Sequence, residues 1–222
     1  MKKEIIICLA SKGRLRPQSL NILKKKRMKI FSEKGERDLV GYVKSKNFNL
    51  KILFVHAREA IDALANSTAD LAISGKDLLF NSNTNIQRKI KLYKNLDFGH
   101  ASLKIFRSIY WIDCQSLLDV SEIARNKPIK LITKYRHLVE NFLDEKNVRN
   151  VEVLDSNGAT EIAVRINQAS LVADISSSGK TAAANDLVEL SDGLILKTSA
   201  AIMVSKKSYK RKEVQKFLKF IT

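Results

Sequence analysis

The sequence has few of the residues that mark fibrous, linker-rich or disulfide-stapled proteins. Its 222 residues include two prolines, eight glycines and two cysteines, Cys8 and Cys114. So little proline and glycine argues against collagen-like or low-complexity architecture, and we find no internal repeat of fixed period. The two cysteines have no metal-ligand spacing, which predicts free thiols in a reducing compartment. A hydrophobic content of 45% is enough to bury a core, so wholesale disorder is excluded.

Long apolar runs are also lacking. No segment approaches the roughly 20 apolar residues that would span a bilayer. The first apolar run, residues 5–10, is shorter than the roughly 7–15 residues of a secretion signal, and charge returns at Lys12. We therefore expect a soluble cytoplasmic protein with no membrane partner.

Acidic residues are scarce, since 23 Asp and Glu face 40 Lys and Arg and leave a formal net charge of +17. Such an excess fits a nucleic-acid surface, an enzyme for polyphosphate substrates, or lysine spread thinly over the surface. The two basic clusters, residues 24–27 and 206–212, have no interleaved aromatic side chains on which bases could stack. The pattern therefore favours solvated basic faces over nucleic-acid binding.

Short apolar runs alternate with stretches of helical period, which predicts βαβ units on a largely parallel α/β sheet. Ligands of such sheets bind in the loops beyond the carboxyl ends of the strands. We predict two lobes with the site in a cleft between them: residues 1–100 with 187–222, and residues 101–186. The predicted strands are 5–9, 50–56, 71–74, 129–133, 151–154 and 171–175, with less regular extended stretches at 90–96, 102–112 and 193–204. The predicted helices are 18–26, 59–66, 135–146, 161–167 and 208–220.

Two loops that follow predicted strands carry cations beside a glycine. In "SKGRL", Lys12 and Arg14 flank Gly13, whose lack of a side chain permits close approach of a polyphosphate. In "ADLAISGKDLL", Gly75, Lys76 and Asp77 stand between a buried strand and a helix. Each of these loops is also compatible with an ordinary surface turn.

The segment "ADISSSGKTAAAN", residues 173–185, ends like a nucleotide-binding P-loop but is not one. A P-loop needs a glycine five positions before its Gly-Lys-Thr, and that position is Asp174. Hydroxyls, a glycine and a lysine before a helix nevertheless predict an anion nest, with Asp174 available to sugar hydroxyls. The alternative is a serine-rich helix cap without a ligand. The nest residues are Ser177, Ser178, Gly179, Lys180 and Thr181.

Taken together, the loops resemble the ATP phosphoribosyltransferase family in its short form. The motifs occur in the family's order from about residue 5 to residue 212, and they are "SKGRL", "ADLAISGKD", "LDFGHASL", "ITKYRHLVENFL", "NGATEIA" and "DISSSGKTAAANDLVE". The resemblance implies a two-lobed fold like that of the type II periplasmic binding proteins. It also implies that the nest holds the 5-phosphate of phosphoribosyl pyrophosphate (PRPP) and that Asp174 contacts the ribose. It places Lys12 and Arg14 near pyrophosphate and ATP, Arg37 at the substrate phosphates, and Glu161 in a Gly-x-x-Glu turn.

The resemblance also implies the reaction and its partners. Adenine N1 of ATP would displace pyrophosphate from C1 of PRPP, with Mg²⁺ held mainly by the substrate phosphates. Because the chain ends at Thr222, it resembles the short form. That form works with a regulatory subunit resembling the catalytic core of histidyl-tRNA synthetase, which implies a homodimer within a hetero-oligomer. The rival hypothesis is a non-catalytic phosphometabolite-binding protein on the same fold.

The chain departs from the family at two positions that bear on activity. His56 stands where the family usually has an arginine, with Arg58 two residues further on, and Ser170 replaces an acidic residue. A neutral imidazole cannot replace a guanidinium fork. Either Arg58 takes over this task or the transition state is stabilised less well.

Overall fold

The computed structural model describes residues 4–32, 38–156, 158, 160 and 162–222. The chain forms two compact units: unit 1 comprises Met1–Gly99 and Ser199–Thr222, and unit 2 comprises His100–Thr198. Each unit has its own sheet, helices and core. No helix among the described residues is both long and apolar enough to cross a membrane.

Unit 1 is built on a six-stranded sheet in the order β2-β3-β1-β4-β11-β5. The central strands β3, β1 and β4 are parallel, whereas β2 and β11 run antiparallel to their neighbours. Five of the six residues of β1 are buried, as expected of a strand covered on both faces. The strands are β1 (Ile5–Ala10), β2 (Val40–Lys44), β3 (Asn49–Val55), β4 (Leu71–Gly75), β5 (Ile90–Asn95) and β11 (Ala200–Ser205).

Helices cover both faces of this sheet. The apolar stripe of the last helix, Val214, Phe217, Leu218 and Ile221, is wholly buried in the core of unit 1. The predicted helix 208–220 is two helices in the structure, with the break at Lys210 and Arg211. The helices are α1 (Leu15–Lys25), α2 (Ala57–Ala65), α3 (Lys76–Phe80), α4 (Thr84–Lys89), α9 (Lys206–Tyr209) and α10 (Lys212–Ile221).

Unit 2 is built on a five-stranded sheet in the order β10-β6-β9-β7-β8. Strands β8, β7 and β9 are parallel, and β6 and β10 complete the sheet by antiparallel pairing. The strands are β6 (Ala101–Ser108), β7 (Ile129–Thr133), β8 (Val151–Asp155), β9 (Leu171–Ser176) and β10 (Leu187–Thr198). The helices are α5 (Leu117–Asn126), α6 (Arg136–Glu145), α7 (Ile162–Arg165) and α8 (Lys180–Ala184).

The second crossing between the units lies further along the chain than the sequence analysis placed it. Residues 187–198 were assigned to the first lobe, but in the structure they form β10, which pairs along β6 from Leu187–Ser108 to Thr198–Ala101. Strand pairing therefore assigns this segment to unit 2, and the chain returns to unit 1 at Ser199.

Candidate functional site

Three loops lie at one edge of the unit 1 sheet. Strands β1, β3 and β4 are parallel, so their carboxyl ends, Ala10, Val55 and Gly75, meet at the same edge. At most four residues separate each strand from the helix that follows it, which is α1, α2 and α3 respectively. This is where an open α/β sheet places its ligands.

The first of these loops presents two exposed cations around a glycine of special conformation. Lys12, Gly13 and Arg14 are all exposed, and Gly13 has φ 81° with open space where a Cβ would lie. The loop is held at its start by Arg16, which donates a hydrogen bond to the carbonyl oxygen of Ser11 at 2.5 Å. The guanidinium of Arg16 also lies 4.6 Å from the centre of the Phe54 ring, within cation–π range.

The third loop is packed far more tightly than the first. A Cβ on Gly75 would lie 2.4 Å from Oδ1 of Asp77, so an alanine here would force the carboxylate that folds over the glycine to shift. Asp77 is buried in the first turn of α3, while Lys76 is half-buried. The backbone N–H of Lys76 donates to the carbonyl oxygen of Ser199, which ties this loop to the start of β11.

The middle loop contains the departure from the family at His56. His56 is the N-cap of α2, and its Nδ1 accepts a hydrogen bond from the backbone N–H of Arg58 at 3.4 Å. Glu59 completes a capping box by accepting from the backbone N–H of His56 at 2.7 Å. Both His56 and Arg58 are exposed at the same sheet edge as Lys12.

The serine-rich segment of unit 2 has the predicted position, between the end of β9 and the start of α8. Gly179 is in the left-handed region with φ 72°, and nothing lies within 4 Å of the place a Cβ would occupy. The loop is shaped by Ser176, whose Oγ accepts from the backbone N–H of Gly179 at 2.9 Å. Ser177, Ser178, Lys180 and Thr181 are exposed, and α8 has no side-chain cap on its first amides.

Asp174 lies two residues before the end of β9. Its side chain is half-buried, and Oδ1 accepts a hydrogen bond from the backbone N–H of Ile175 at 2.7 Å. The strand leads from Asp174 directly into the serine loop, so both belong to the carboxyl edge of the unit 2 sheet. Ser170, the other departure from the family, precedes β9 and lies at the opposite edge.

The structure adds residues at this edge that the sequence analysis did not assign. Lys134 and Tyr135 follow the parallel strand β7 as the serine loop follows β9. Thr133 holds the turn, because its Oγ1 donates to the carbonyl oxygen of Ala173 at 2.7 Å and accepts from the N–H of Tyr135 at 2.9 Å. The rule that found the other loops, a polar turn after a parallel strand, would have found this one too.

Arg136 joins the same edge through an ion pair. Its Nε donates to Oδ2 of Asp155, the last residue of β8, at 2.9 Å, and its Nη1 donates to Glu140 at 2.9 Å. The hydrogen bond to Glu140, with a smaller contribution from Asp155, raises the pKa of Arg136 above its usual value. This cation is therefore committed to carboxylates of unit 2.

Two predicted site residues, Arg37 and Glu161, lie outside the described residues. Within the described part of the chain, no three His, Cys, Asp or Glu side chains cluster as a metal site would require. The arrangement at both sheet edges is one of cations, hydroxyls and backbone amides, which suits phosphorylated ligands.

Solved structures identify the fold class of this chain. A probable extracellular-binding protein of an amino-acid transporter from Bacillus subtilis, ytmK, matches with a TM-score of 0.59 at 11% identity, over 100% of this chain and 92% of that one. The arginine-binding protein ArgBP of Thermotoga maritima, as its P235GK mutant, matches with a TM-score of 0.55 at 14% identity, over 98% and 86%. The chain has the two-unit α/β fold of the periplasmic binding proteins, as expected from the sequence.

A narrower similarity distinguishes the chain within that class. The model of the ATP phosphoribosyltransferase family matches residues 56–222. ATP phosphoribosyltransferase from Brucella suis is 28% identical over 218 residues, which cover 95% of this chain and 94% of that protein. The enzyme from Rhodopseudomonas palustris is 30% identical over 212 residues, which cover 93% of this chain and 65% of that protein. The ATP phosphoribosyl transferase (HisG:HisZ) complex from T. maritima matches with a TM-score of 0.73 at 18% identity, over 98% and 96%. The chain belongs to the ATP phosphoribosyltransferase family.

Proposed function

We propose that the chain catalyses the reaction of its family, the first step of histidine biosynthesis. It transfers the phosphoribosyl group of PRPP to N1 of the adenine of ATP and releases pyrophosphate. Family membership carries this proposal, and the phosphate-suited loops at the carboxyl edges of both sheets support it.

The loop after β9 is the proposed site for the 5-phosphate of PRPP. Gly179 bends the chain with a positive φ and leaves open space above its Cα, and the first amides of α8 have no side-chain cap. Unpaired amides and the positive end of a helix attract a phosphate, and Lys180 and Thr181 add a charge and a hydroxyl. Asp174, two residues before the loop, is positioned to contact ribose hydroxyls.

The loops of unit 1 are the proposed site for ATP and the leaving pyrophosphate. Lys12 and Arg14 are exposed at the end of β1, and the second open glycine, Gly13, lets the backbone approach a phosphate. Lys76 lies at the end of β4, on the same edge, beside the buried Asp77. We retain Arg37 and Glu161 as further candidates from the family resemblance.

The chemistry explains why a site of cations and amides is sufficient. As the bond from C1 to pyrophosphate breaks, positive charge develops on the ribose and negative charge on the leaving group. Fixed cations and N–H donors that face the leaving group stabilise that charge separation. Adenine N1 supplies the electron pair, so the reaction needs no nucleophilic side chain of the protein.

Magnesium fits this residue set as a companion of the substrates. Mg²⁺ keeps several waters and is held through one or two carboxylates together with substrate phosphates. The loops offer cations and few carboxylates, so we propose that the ion enters on ATP and PRPP. When bound there, it neutralises part of the phosphate charge.

The proposed partner is a regulatory subunit that resembles histidyl-tRNA synthetase. The similar T. maritima structure is a complex of two proteins, HisG and HisZ. We propose that this chain likewise acts as a homodimer within a hetero-oligomer, in the cytoplasm where ATP and PRPP are made.

The decisive experiment is an assay of the purified chain with ATP, PRPP and Mg²⁺. Mass spectrometry would detect the phosphoribosyl adduct of ATP, with and without the regulatory subunit. We expect the adduct in at least one of the two samples. No adduct in either, from folded protein that still binds PRPP, would instead indicate a non-catalytic binding protein.

A further inference from the structure

Four large apolar side chains are exposed within ten residues of unit 2. Tyr110 is 81% exposed, Ile112 67%, Leu118 64% and Ile109 47%. We call these four residues the 109–118 surface. Large apolar side chains exposed close together along the chain are candidates for an interaction site, since each leaves apolar area in water at a cost of roughly 25 cal/mol per Å².

The beginning of this segment is held by partly buried and backbone hydrogen bonds. Arg107, itself buried, donates from Nη1 to the carbonyl oxygens of Ser108 at 2.8 Å and Ile109 at 3.4 Å. The N–H of Ile109 donates to the carbonyl oxygen of Asp186 at 2.8 Å, and the N–H of Trp111 donates to Ser108 at 3.1 Å. The ring of Trp111 packs against the core of unit 2.

The end of the segment is fixed in the same way. The side-chain amide of Gln115 donates to the carbonyl oxygen of Ile112 at 3.3 Å, and its backbone N–H donates to Asp119 at 2.8 Å. The N–H of Ser191 on β10 donates to the carbonyl oxygen of Gln115 at 2.9 Å. An apolar surface held in this way loses little conformational entropy when a partner covers it, which favours binding.

A cationic cavity of about 720 Å³ lies beside this surface, with Tyr110 and Trp111 in its wall. Its charged lining residues are Lys127, Lys130, Arg165 and Asp186. Among the described lining residues the only carboxylate is Asp186, which is paired with Arg165 at 2.7 Å. Lys127 and Lys130 have no ion-pair partner within the described part of the chain, so the lining keeps two uncompensated positive charges.

The surface and the cavity lie at the opposite end of the unit 2 sheet from the proposed phosphate loop. Strand β6 runs antiparallel to β9, with Arg107 opposite Leu171 and Ser102 opposite Ser176. Leu171 and Ser176 are five residue steps apart, so the two ends of β9 are separated by about 17 Å at roughly 3.3 Å per residue. A partner can cover the 109–118 surface and leave the phosphate loop open.

We propose that the 109–118 surface and its cationic cavity are the docking site for the regulatory subunit. The subunit would place an apolar side chain against Tyr110 and Ile112 and acidic groups against Lys127 and Lys130, an apolar centre with a charged rim. A second copy related by a two-fold axis would bring its own Lys127 and Lys130 to the same place, so like charge disfavours this surface as the homodimer contact. That such a subunit exists follows from the proposed function, on which this inference therefore rests. The surface and its cavity are observed in the structure.

The test is titration calorimetry of the purified regulatory subunit into the full chain. The apolar variant combines Tyr110→Ser with Ile112→Ser, and the charge variant combines Lys127→Glu with Lys130→Glu. The matched control is Leu39→Ser, an apolar side chain of unit 1 that is 61% exposed. We expect both double variants to raise Kd at least tenfold and the control to stay within twofold of the original chain. Added salt should weaken the original complex more than that of the charge variant.

Several results would overturn this proposal. One is that both double variants bind the regulatory subunit as tightly as the original chain does. Another is that the original chain does not bind the subunit at all. A third is that the chain associates with itself and the apolar variant abolishes that association. If the apolar variant does not fold, the charge variant decides alone, because its lysines are exposed. Adduct formation, assayed in parallel, separates the two proposals. If no adduct forms but both double variants raise Kd for the regulatory subunit, only the proposed reaction is rejected. If the adduct forms but neither double variant changes Kd, only the docking site is rejected.

Discussion

The carboxylate of Glu59 accepts a hydrogen bond from the backbone N–H of His56 at 2.7 Å, while Nδ1 of His56 accepts one from the N–H of Arg58 at 3.4 Å. These bonds satisfy two amides at the start of α2 that would otherwise lack partners. The residue that departs from the family therefore caps a helix at the carboxyl edge of the unit 1 sheet.

Replacing His56 with arginine should raise turnover and lower stability slightly. A guanidinium at this edge adds a fixed charge for the substrate phosphates, which should increase kcat for adduct formation. The arginine no longer accepts the hydrogen bond from the N–H of Arg58, which should lower the free energy of unfolding by about 0.5–1 kcal/mol. The loss is limited because the hydrogen bond from the backbone N–H of residue 56 to Glu59 remains. Kinetics and thermal unfolding of His56→Arg measure the two effects.

His56→Asn is the control for that experiment, since asparagine caps helices well but brings no charge. We expect it to keep the melting temperature without raising kcat. A folded His56→Arg variant with no activity would show that an arginine at this position does not help the substrates react.

Removing the polar side chains of the proposed phosphate loop should discriminate between the two substrates. Lys180→Ala combined with Thr181→Ala removes a charge and a hydroxyl from the first turn of α8 and leaves Gly179 unchanged. We expect Kd for PRPP to rise at least tenfold, about 1.4 kcal/mol, and Kd for ATP to stay within about twofold. Lys146→Ala, an exposed lysine of the same unit, controls for the loss of charge alone. Equal losses for both ligands would mean that the loop binds a different substrate from the one proposed.

The close approach of Gly75 and Asp77 should appear as energetic coupling. A methyl group at Gly75 would lie 2.4 Å from the Asp77 carboxylate, so Gly75→Ala should destabilise unit 1 by about 1–3 kcal/mol through overpacking. Asp77→Ala removes the atoms that would collide with it. The double variant should therefore lose less free energy than the sum of the single variants, as measured by urea denaturation. Additive losses would show that the cost of Gly75→Ala does not come from the Asp77 carboxylate.

Buried parallel strands were the part of the fold that the sequence predicted best. The predicted strand 129–133 matches β7, and the predicted strands 5–9 and 171–175 each end one residue short of β1 and β9. Continuous apolar runs are typical of strands covered on both faces, so pattern alone locates them. It also predicts which loops follow their carboxyl ends.

Elements held by tertiary pairing were missed or misplaced. Strand β2 contains a glycine and lies at a sheet edge, and α4 has no buried residue, so neither has a clear apolar period. Strand β10 contains Ser191, Asp192 and Gly193, and it is extended because β6 pairs with it across two irregularities in register. No local pattern could show that Asp77 folds over Gly75 or that His56 caps α2, because both depend on side-chain direction after folding.

The two cysteines should be inert in the folded chain and should make it sensitive to alkali. Burial, with the nearby negative charge of Glu59, raises the pKa of Cys8 to about 11, and burial with that of Asp119 does the same for Cys114. At pH 8 we expect a thiol reagent to modify the chain rapidly only after unfolding in urea. Below pH 9 both states keep their thiol protons, whereas between about 9 and 11 the unfolded chain loses them first, so stability falls as pH rises. Denaturant titrations across that window should give a shallower fall for Cys8→Ala or Cys114→Ala than for the original chain. An equal fall in all three would mean that neither thiol contributes to the loss of stability.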